Sequence, residues 1–417
     1  MPSLRDTLGQ IVVENMMNND KIYEQSNTDN ASVIPAVSNR RKMIGNVSLL
    51  AGILAVTTGC WHFYTWYEAI APYGTLISFV CLAVTFFAYV DVKDALRDPV
   101  FYMMAAADVV ALLNLIIVGS RMGAILTVVD ILLVLYLANK IEIPRKWMIV
   151  FVSYIGIFFF YWTIDVKGYF KGYNTNYGGL VLITGFVCAM IASEYLRRYL
   201  REHDRAGLAK SVYVWDIAVF AVGFNIISWY RARCALLGYL VFAVLWLIPA
   251  KVWKRKWLYG ILCGCMTLGS IVFTLLYVLL GKLREVFTIQ VFYKDILSGR
   301  EAIWAELWGE FLKKPLTGIG SAYTMKLSWM EGMFEVHNGL LDLLIVHGIA
   351  VFVVACLMLV KRLWALRISA SSSALGKITM AAVMAILAAS FLENFFIVPP
   401  FSLILLVLLS QGAKPEN

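Results

Sequence analysis

Charge is scarce in this chain. Only 15% of its 417 residues are Asp, Glu, Lys or Arg, and 61% are hydrophobic. A soluble globular chain carries roughly a quarter charged residues. With a mean hydropathy of +0.75, the sequence excludes a soluble enzyme and reads as a polytopic membrane protein. Histidine is rarer still, at four residues. None of the seven cysteines stands at metal-ligand spacing with a histidine, and all lie in or beside apolar runs, as small packing residues do. There is no Asp-x-Asp, no His-x-x-His and no run of carboxylates at ligand spacing, so no metal is expected. A P-loop and a dinucleotide fingerprint are both missing, which argues against a nucleotide-driven domain, and no cofactor is expected. Residues 1–38 are polar and Asn-rich and lack the apolar stretch of a cleavable signal peptide. No internal repeat is visible.

What remains is mostly greasy helix. Apolar runs long enough to span a bilayer, roughly 17 to 25 residues, occur about twelve times. They lie near 45–66, 72–92, 99–118, 121–139, 146–164, 178–196, 212–230, 233–250, 257–281, 338–360, 377–396 and 399–413. The net charge of +9 follows the topology and does not signal a nucleic-acid partner. Alternate connections hold clusters such as Arg40-Arg41-Lys42, Arg197-Arg198, Lys254-Arg255-Lys256 and Lys361-Arg362. The intervening short connections hold only Arg121, Lys167, Lys171, Arg231 and Arg233. By the positive-inside rule both termini are cytoplasmic. The expected fold is therefore all-α, with about 12 transmembrane helices. Residues 1–43 and 414–417 form cytoplasmic tails, and 44–413 form a single transmembrane catalytic domain. One long extracytoplasmic loop, 282–337, interrupts it.

That loop carries most of the unusual polar chemistry. Ile303, Trp304, Leu307, Trp308, Phe311 and Leu312 recur at helical spacing, with Glu301, Glu306 and Glu310 on most of the other side. The pattern predicts an amphipathic helix lying in the membrane interface. Arg300 falls in its first turn, where a cation opposes the helix dipole and is better explained by an anionic partner. Arg231 and Arg233 break an apolar stretch at an outer edge. Their planar guanidinium forks suit phosphate oxygens, while interfacial anchoring, or pairing with Asp165 or Glu393, is the structural alternative. His337 opens the next span, and an imidazole titrates close to neutral pH. Glu335, beside it, could assist a base. Asn174 and Asn176 lie in a third outer loop, next to Tyr177.

These pieces, in this order, resemble the O-antigen polymerase/ligase family of bacterial membrane glycosyltransferases, the Wzy and WaaL type. Asn174-Thr175-Asn176-Tyr177 resembles the family's Asn-Pro-Asn-aromatic element, with Thr in place of Pro. Arg233-Cys234-Ala235-Leu236-Leu237 resembles its Ser-Arg-x-Ala-Leu-Leu element, with Ala232 where Ser is common; Arg231 is a competing match for the arginine. Gly299-Arg300 with Trp304, Pro315-Leu316-Thr317-Gly318-Ile319-Gly320, then His337-Asn338 and Gly348 resemble its C-terminal core. The resemblance covers residues 170–400.

The resemblance implies glycans carried on undecaprenyl diphosphate and transferred, without a metal, outside the bacterial cytoplasmic (inner) membrane. It implies that Arg233 and Arg300 bind the diphosphate, and that His337 is either the base activating the acceptor or a diphosphate contact. Arg231, Asn174, Asn176, Tyr177, Asn338 and Glu335 are candidate contacts to diphosphate or glycan. The expected partners are the lipid-linked oligosaccharide, a glycan acceptor and the bilayer, with a chain-length regulator as a further candidate and no nucleic acid. The chemistry is self-consistent. A glycosyl diphosphate already holds a good leaving group, and fixed arginines in a dry site can stabilise the charge it develops. In-line attack predicts inversion at the anomeric carbon. A polymerase joining lipid-linked repeat units is the favoured expectation. A ligase using lipid A–core is the alternative within the class, and a lipid-linked oligosaccharide transporter, or flippase, the alternative outside it.

Overall fold

The computed structural model describes residues 39–61, 73–165, 175–283, 290–291, 294–295, 297, 299–330, 335–394, 397–399 and 401–411. The chain divides into two units, Met1–Lys42 and Met43–Asn417, and apart from Asn39–Lys42 every described residue lies in the second. Its helices, in chain order, are α1 (Asn39–Trp61), α2 (Gly74–Tyr89), α3 (Val92–Ala95), α4 (Pro99–Ile117), α5 (Met122–Ala138), α6 (Arg145–Asp165), α7 (Thr175–Glu202), α8 (Ala206–Tyr230), α9 (Arg233–Leu247), α10 (Ala250–Trp253), α11 (Lys256–Gly281), α12 (Arg300–Phe311), α13 (Gly339–His347), α14 (Ile349–Ser372), α15 (Ala374–Ala389) and α16 (Phe401–Leu409). A two-stranded antiparallel ribbon, β1 (Gln290–Val291) and β2 (Lys294–Asp295), precedes α12.

Local chemistry sets several helix starts. The side chain of Asp98 accepts from the Val100 amide at 3.0 Å ahead of Pro99, and Ser373 accepts from the Gly376 amide at 2.9 Å. Each satisfies an orphan first-turn donor. Helices α4, α7, α8, α11 and α14 are long and apolar enough to cross a membrane, and α2, α5, α9 and α15 are shorter apolar helices. The protein is a mostly helical, multi-pass membrane protein. Helix α7 packs against α6, α8, α9 and α15, and α15 packs in turn against α9 and α14. Most of α7, the second half of α5, α15 after its first turns and every residue of α16 are buried. These apolar-all-round helices form the centre, as periodicity requires of helices with no solvated face.

Two expectations about the spans are corrected. The run 338–360 is not one helix. It breaks at Gly348, whose φ is 87°, into the nine-residue α13 and the longer α14. The cause is the Pro315–Gly320 segment, which lies across the break. The Ile349 amide donates to the Pro315 carbonyl at 3.0 Å, Ile319 to Ile345 at 2.8 Å, and Gly320 to Val346 at 3.1 Å. A Cβ on Gly348 would meet the Leu316 carbonyl oxygen at 2.1 Å, so only glycine fits there. The last run, 399–413, yields only α16, nine residues or roughly 13 Å of rise, too short to cross a bilayer. Its C-terminal carbonyls are held by the buried Arg362, which donates to the main chain of Leu409 and of Gln411. A cation at that helix end suits the dipole.

Helix α12 is amphipathic, but its polar side differs from expectation. Glu301 is buried along with Arg300, Ile303, Trp304, Leu307 and Phe311, and its side chain lies where a Cβ on Gly281 would otherwise go. Glu306 and Glu310 are half-buried and engaged by neighbouring side chains. Glu306 accepts from Tyr323 and from the Lys326 amide, each at 2.7 Å. Glu310 pairs with Lys313 at 2.9 Å and Lys326 at 2.5 Å.

Candidate active site

Five separate stretches of chain meet at one end of the bundle: the starts of α7, α9 and α12, the turn 335–338, and the turn after α15. Their meeting point is the carboxylate of Glu393, which is buried. Its Oε1 accepts from Arg300 Nη2 at 2.5 Å and from Asn176 Nδ2 at 2.7 Å. Its Oε2 accepts from His337 Nδ1 at 3.3 Å. The same imidazole nitrogen stands 3.2 Å from Glu335 Oε1.

Arg300 is placed by a turn that its neighbour makes possible. Gly299 precedes α12 with φ 88°, where a side chain is strained. The guanidinium then points away from solvent, onto Glu393 and the Leu392 carbonyl at 3.0 Å. The anionic partner that its unfavourable first-turn position demands is thus inside the protein. Below it, Trp304 donates to the Val336 carbonyl at 2.7 Å, which pins the turn carrying His337 to α12.

His337 itself adopts φ 55°, a left-handed conformation costly for a residue with a Cβ and concentrated at functional sites. Its successor holds it there. Asn338 is fully buried. Its Oδ1 accepts from Ser270 at 2.7 Å and from the Leu341 amide at 3.1 Å, capping α13. Its amide donates to Asn394 Oδ1 at 2.7 Å, and the Gly339 amide to the Ser390 carbonyl at 3.1 Å. Burial disfavours the imidazolium of His337, but the hydrogen bonds and charges of Glu335 and Glu393 outweigh it and raise the pKa to about 9. For Glu335, burial favours the neutral acid, yet the His337 hydrogen bond prevails and holds the carboxyl below its ordinary range.

Arg233 starts α9 and reaches across to β2, donating to the Asp295 carbonyl at 2.5 Å. It lies close enough to Arg300 for the two positive charges to repel. Tyr277, on α11, sits in the field of both arginines. Arg231, two residues before Arg233, is exposed and forms the left-handed C-cap of α8 at φ 54°. Arg233 lies in the field of Arg300, whereas Arg231 makes no contact with Glu393 among the described residues. Asn174 lies outside the described residues, as do Lys167 and Lys171. The backbone of Tyr177 is in α7. The Pro315–Gly320 segment stands at the C-terminal end of α13, roughly 13 Å of helix rise from His337.

The fold also assembles what the sequence does not show. One ligand atom from each of Glu335, His337 and Glu393 falls within 4.8 Å of the others. This corrects the expectation that no acidic cluster stands at ligand spacing, because Glu393 arrives from a distant turn. A divalent cation there would have to displace the Arg300, Asn176 and His337 contacts that both Glu393 oxygens already make. Glu393 is the principal residue missed as part of the site. Its one signal was its place in Phe391-Leu392-Glu393-Asn394, a charged and polar pair inside an apolar run.

Residues 217–356 match the Wzy_C family, described as O-antigen ligase. That segment, about a third of the chain, supports the O-antigen polymerase/ligase family. No curated protein and no solved structure matches it. The family segment runs from α8 into α14 and contains Arg231, Arg233, Arg300, Glu335, His337 and Asn338. Asn176 and Glu393 lie outside it, so the fold completes the O-antigen ligase-type segment with helices from either side.

Proposed function

We infer that the protein has a function of the O-antigen ligase or polymerase type, as the matched segment indicates. We propose that the protein transfers a glycan from undecaprenyl diphosphate at the outer face of the bacterial cytoplasmic membrane, with inversion and without a metal. The observation that carries this reading is the meeting of Arg300, His337 and Asn176 on Glu393, with Arg233 facing Arg300.

In this reading Glu393 holds the cations in place until substrate arrives. The entering diphosphate takes over Arg300 and Arg233, whose mutual repulsion it relieves. His337 joins them as a third cation. A pKa of about 9 leaves it protonated near neutral pH, so it suits contact with the leaving diphosphate better than proton abstraction. Its Nε2 makes no hydrogen bond among the described residues and is left to meet the substrate. Glu335, ionised beside it with a side chain that still reaches solvent, is the group available to take the acceptor hydroxyl's proton. Asn338, whose Oδ1 and main-chain amide are engaged within the protein, acts as a positioning residue for His337.

Polymerisation of lipid-linked repeat units is the favoured reaction. Transfer to lipid A–core is a second reading, supported by the description of the matching family as O-antigen ligase. A flippase is less well supported: broken helices such as α13 occur in transporters, but the converging charges gather at one end of the bundle. The test is incubation of the purified protein with a synthetic undecaprenyl-diphosphate oligosaccharide, alone or with lipid A–core. Elongated lipid-linked chains support the polymerase, glycosylated lipid A–core the ligase, and neither product defeats both.

A further inference from the structure

Helix α7 begins at the Glu393 network and ends, twenty-eight residues on and roughly 40 Å away by helix rise, at a second polar site. A cavity of about 580 Å³ opens there, between the start of α6, the end of α7, the junction of α14 with α15, and the residues after α16. Arg145, Arg198, Arg201, Glu194, Ser372 and Gln411 are among its lining residues.

Most charges at this cavity answer one another. Glu194 is held by the buried Arg197, at 2.7 Å from Nε. Arg145 donates to both oxygens of Glu202 at 3.1 Å, and Arg198 donates to the same carboxylate at 3.1 Å. The exposed Glu142, at the rim, lies in the field of Arg362. Two donors are left over. The Arg201 side chain makes no ion pair or hydrogen bond among the described residues. Gln411 is 4% exposed; its Oε1 accepts from Thr379 at 3.0 Å, while its Nε2 has no partner among the described residues. A buried amide donor without an acceptor costs about 1 to 3 kcal/mol. A cavity that size, lined by surplus donors and by serine hydroxyls, calls for an acceptor-rich ligand.

We propose that this cavity binds a phosphate group, with Arg201 and Gln411 as its principal donors. Arg201 gives the planar fork that matches phosphate oxygens, and Gln411 a neutral donor in the lining. Ile143, Met148 and Leu375, which also line the cavity, suit the glycerol and first methylenes of a phospholipid; basic pockets between membrane helices are known to take such headgroups. A soluble phosphate ester offers the same chemistry. The site stands apart from the Glu393 network and does not depend on the proposed transfer reaction.

The test uses delipidated, full-length protein in detergent. Native mass spectrometry would follow binding of phosphatidylglycerol, of phosphatidylethanolamine and of diacylglycerol, which lacks the phosphate. Inorganic phosphate would be the competing soluble probe. The expected result is retention of a phospholipid over diacylglycerol by about tenfold, falling about tenfold in Arg201→Gln and several-fold in Gln411→Leu. Arg201 is exposed, so Arg201→Gln should unfold at the wild-type temperature even if Gln411→Leu does not fold well. Displacement of lipid by millimolar phosphate, or phosphate binding without lipid, assigns the site to the soluble source. Equal retention of diacylglycerol, failure of both sources to bind, or wild-type binding by Arg201→Gln would overturn the proposal.

Discussion

Arg300 and His337 hold opposite oxygens of one carboxylate: Arg300 Nη2 meets Glu393 Oε1 at 2.5 Å, and His337 Nδ1 meets Oε2 at 3.3 Å. One buried acid thus fixes the spacing of two cations that come from different ends of a long loop. In the proposed reaction a diphosphate, with two charged phosphoryl groups, replaces it.

Removing that acid should hurt stability as well as activity. Glu393→Ala leaves the Arg300 guanidinium buried without its counter-charge, an outcome that typically costs 3 to 5 kcal/mol. Glu393→Gln keeps an acceptor for Arg300 and should cost less. Denaturant unfolding of the detergent-solubilised variants measures both. An unchanged midpoint for Glu393→Ala would show that the pairing carries no weight.

The pH dependence separates the two roles open to His337. Its pKa in the protein, about 9, lies above the ordinary imidazole value of 6.5. The charged form and the stability it brings are therefore fully present below about pH 6.5 and are lost as pH rises through about 9. If the imidazolium contacts the diphosphate, kcat/KM should fall on the alkaline side near pH 9. A rate that climbs through that range would instead mark His337 as the base.

The two arginines at the turn between α8 and α9 should behave differently despite their closeness in sequence. Arg233→Ala, like Arg300→Ala, should lower transfer by roughly 10²- to 10³-fold, the usual effect of losing a donor to developing charge. Arg231→Ala should stay within about fivefold of wild type, as expected of an exposed charge. Initial rates with the lipid-linked donor decide this, and equal losses at both positions would contradict the assignment.

Gly348 provides a structural prediction. Gly348→Ala must hold a left-handed φ and press on the Leu316 carbonyl, so it should destabilise by more than the 1 to 3 kcal/mol typical of backbone strain alone. Gly207→Ala, in α8 with nothing within 4 Å of the new Cβ, should be neutral or stabilising by up to about 1 kcal/mol. Thermal unfolding of the pair is the comparison to make.

Much of this arrangement could be read from residue patterns. Apolar runs placed α1, α2, α4 to α9 and α11, because a segment in lipid has few alternatives to helix, while the four-residue α3 and α10 fall in connections that the runs did not mark. The Gly299-Arg300 step and the apolar periodicity of 303–312 placed α12. The break at Gly348 was not legible, because α13 and α14 form one apolar run and the cause is a loop packed against it from elsewhere. The role of Glu393 was hidden for a similar reason. A carboxylate in an apolar run announces that it has a partner, but not which of several distant cations it is. Arg231 and Arg233 look alike in sequence, and only the turn between α8 and α9 sends them different ways.

The central claim is that arginines and an imidazolium, with no metal, stabilise the departing lipid diphosphate. Its most direct test is glycan transfer from synthetic undecaprenyl-diphosphate oligosaccharide by purified protein in EDTA, wild type beside Arg300→Ala and His337→Ala. The account predicts full turnover in EDTA and its near loss in both variants. Turnover abolished by EDTA and restored by a divalent cation, or left intact in both variants, would contradict it.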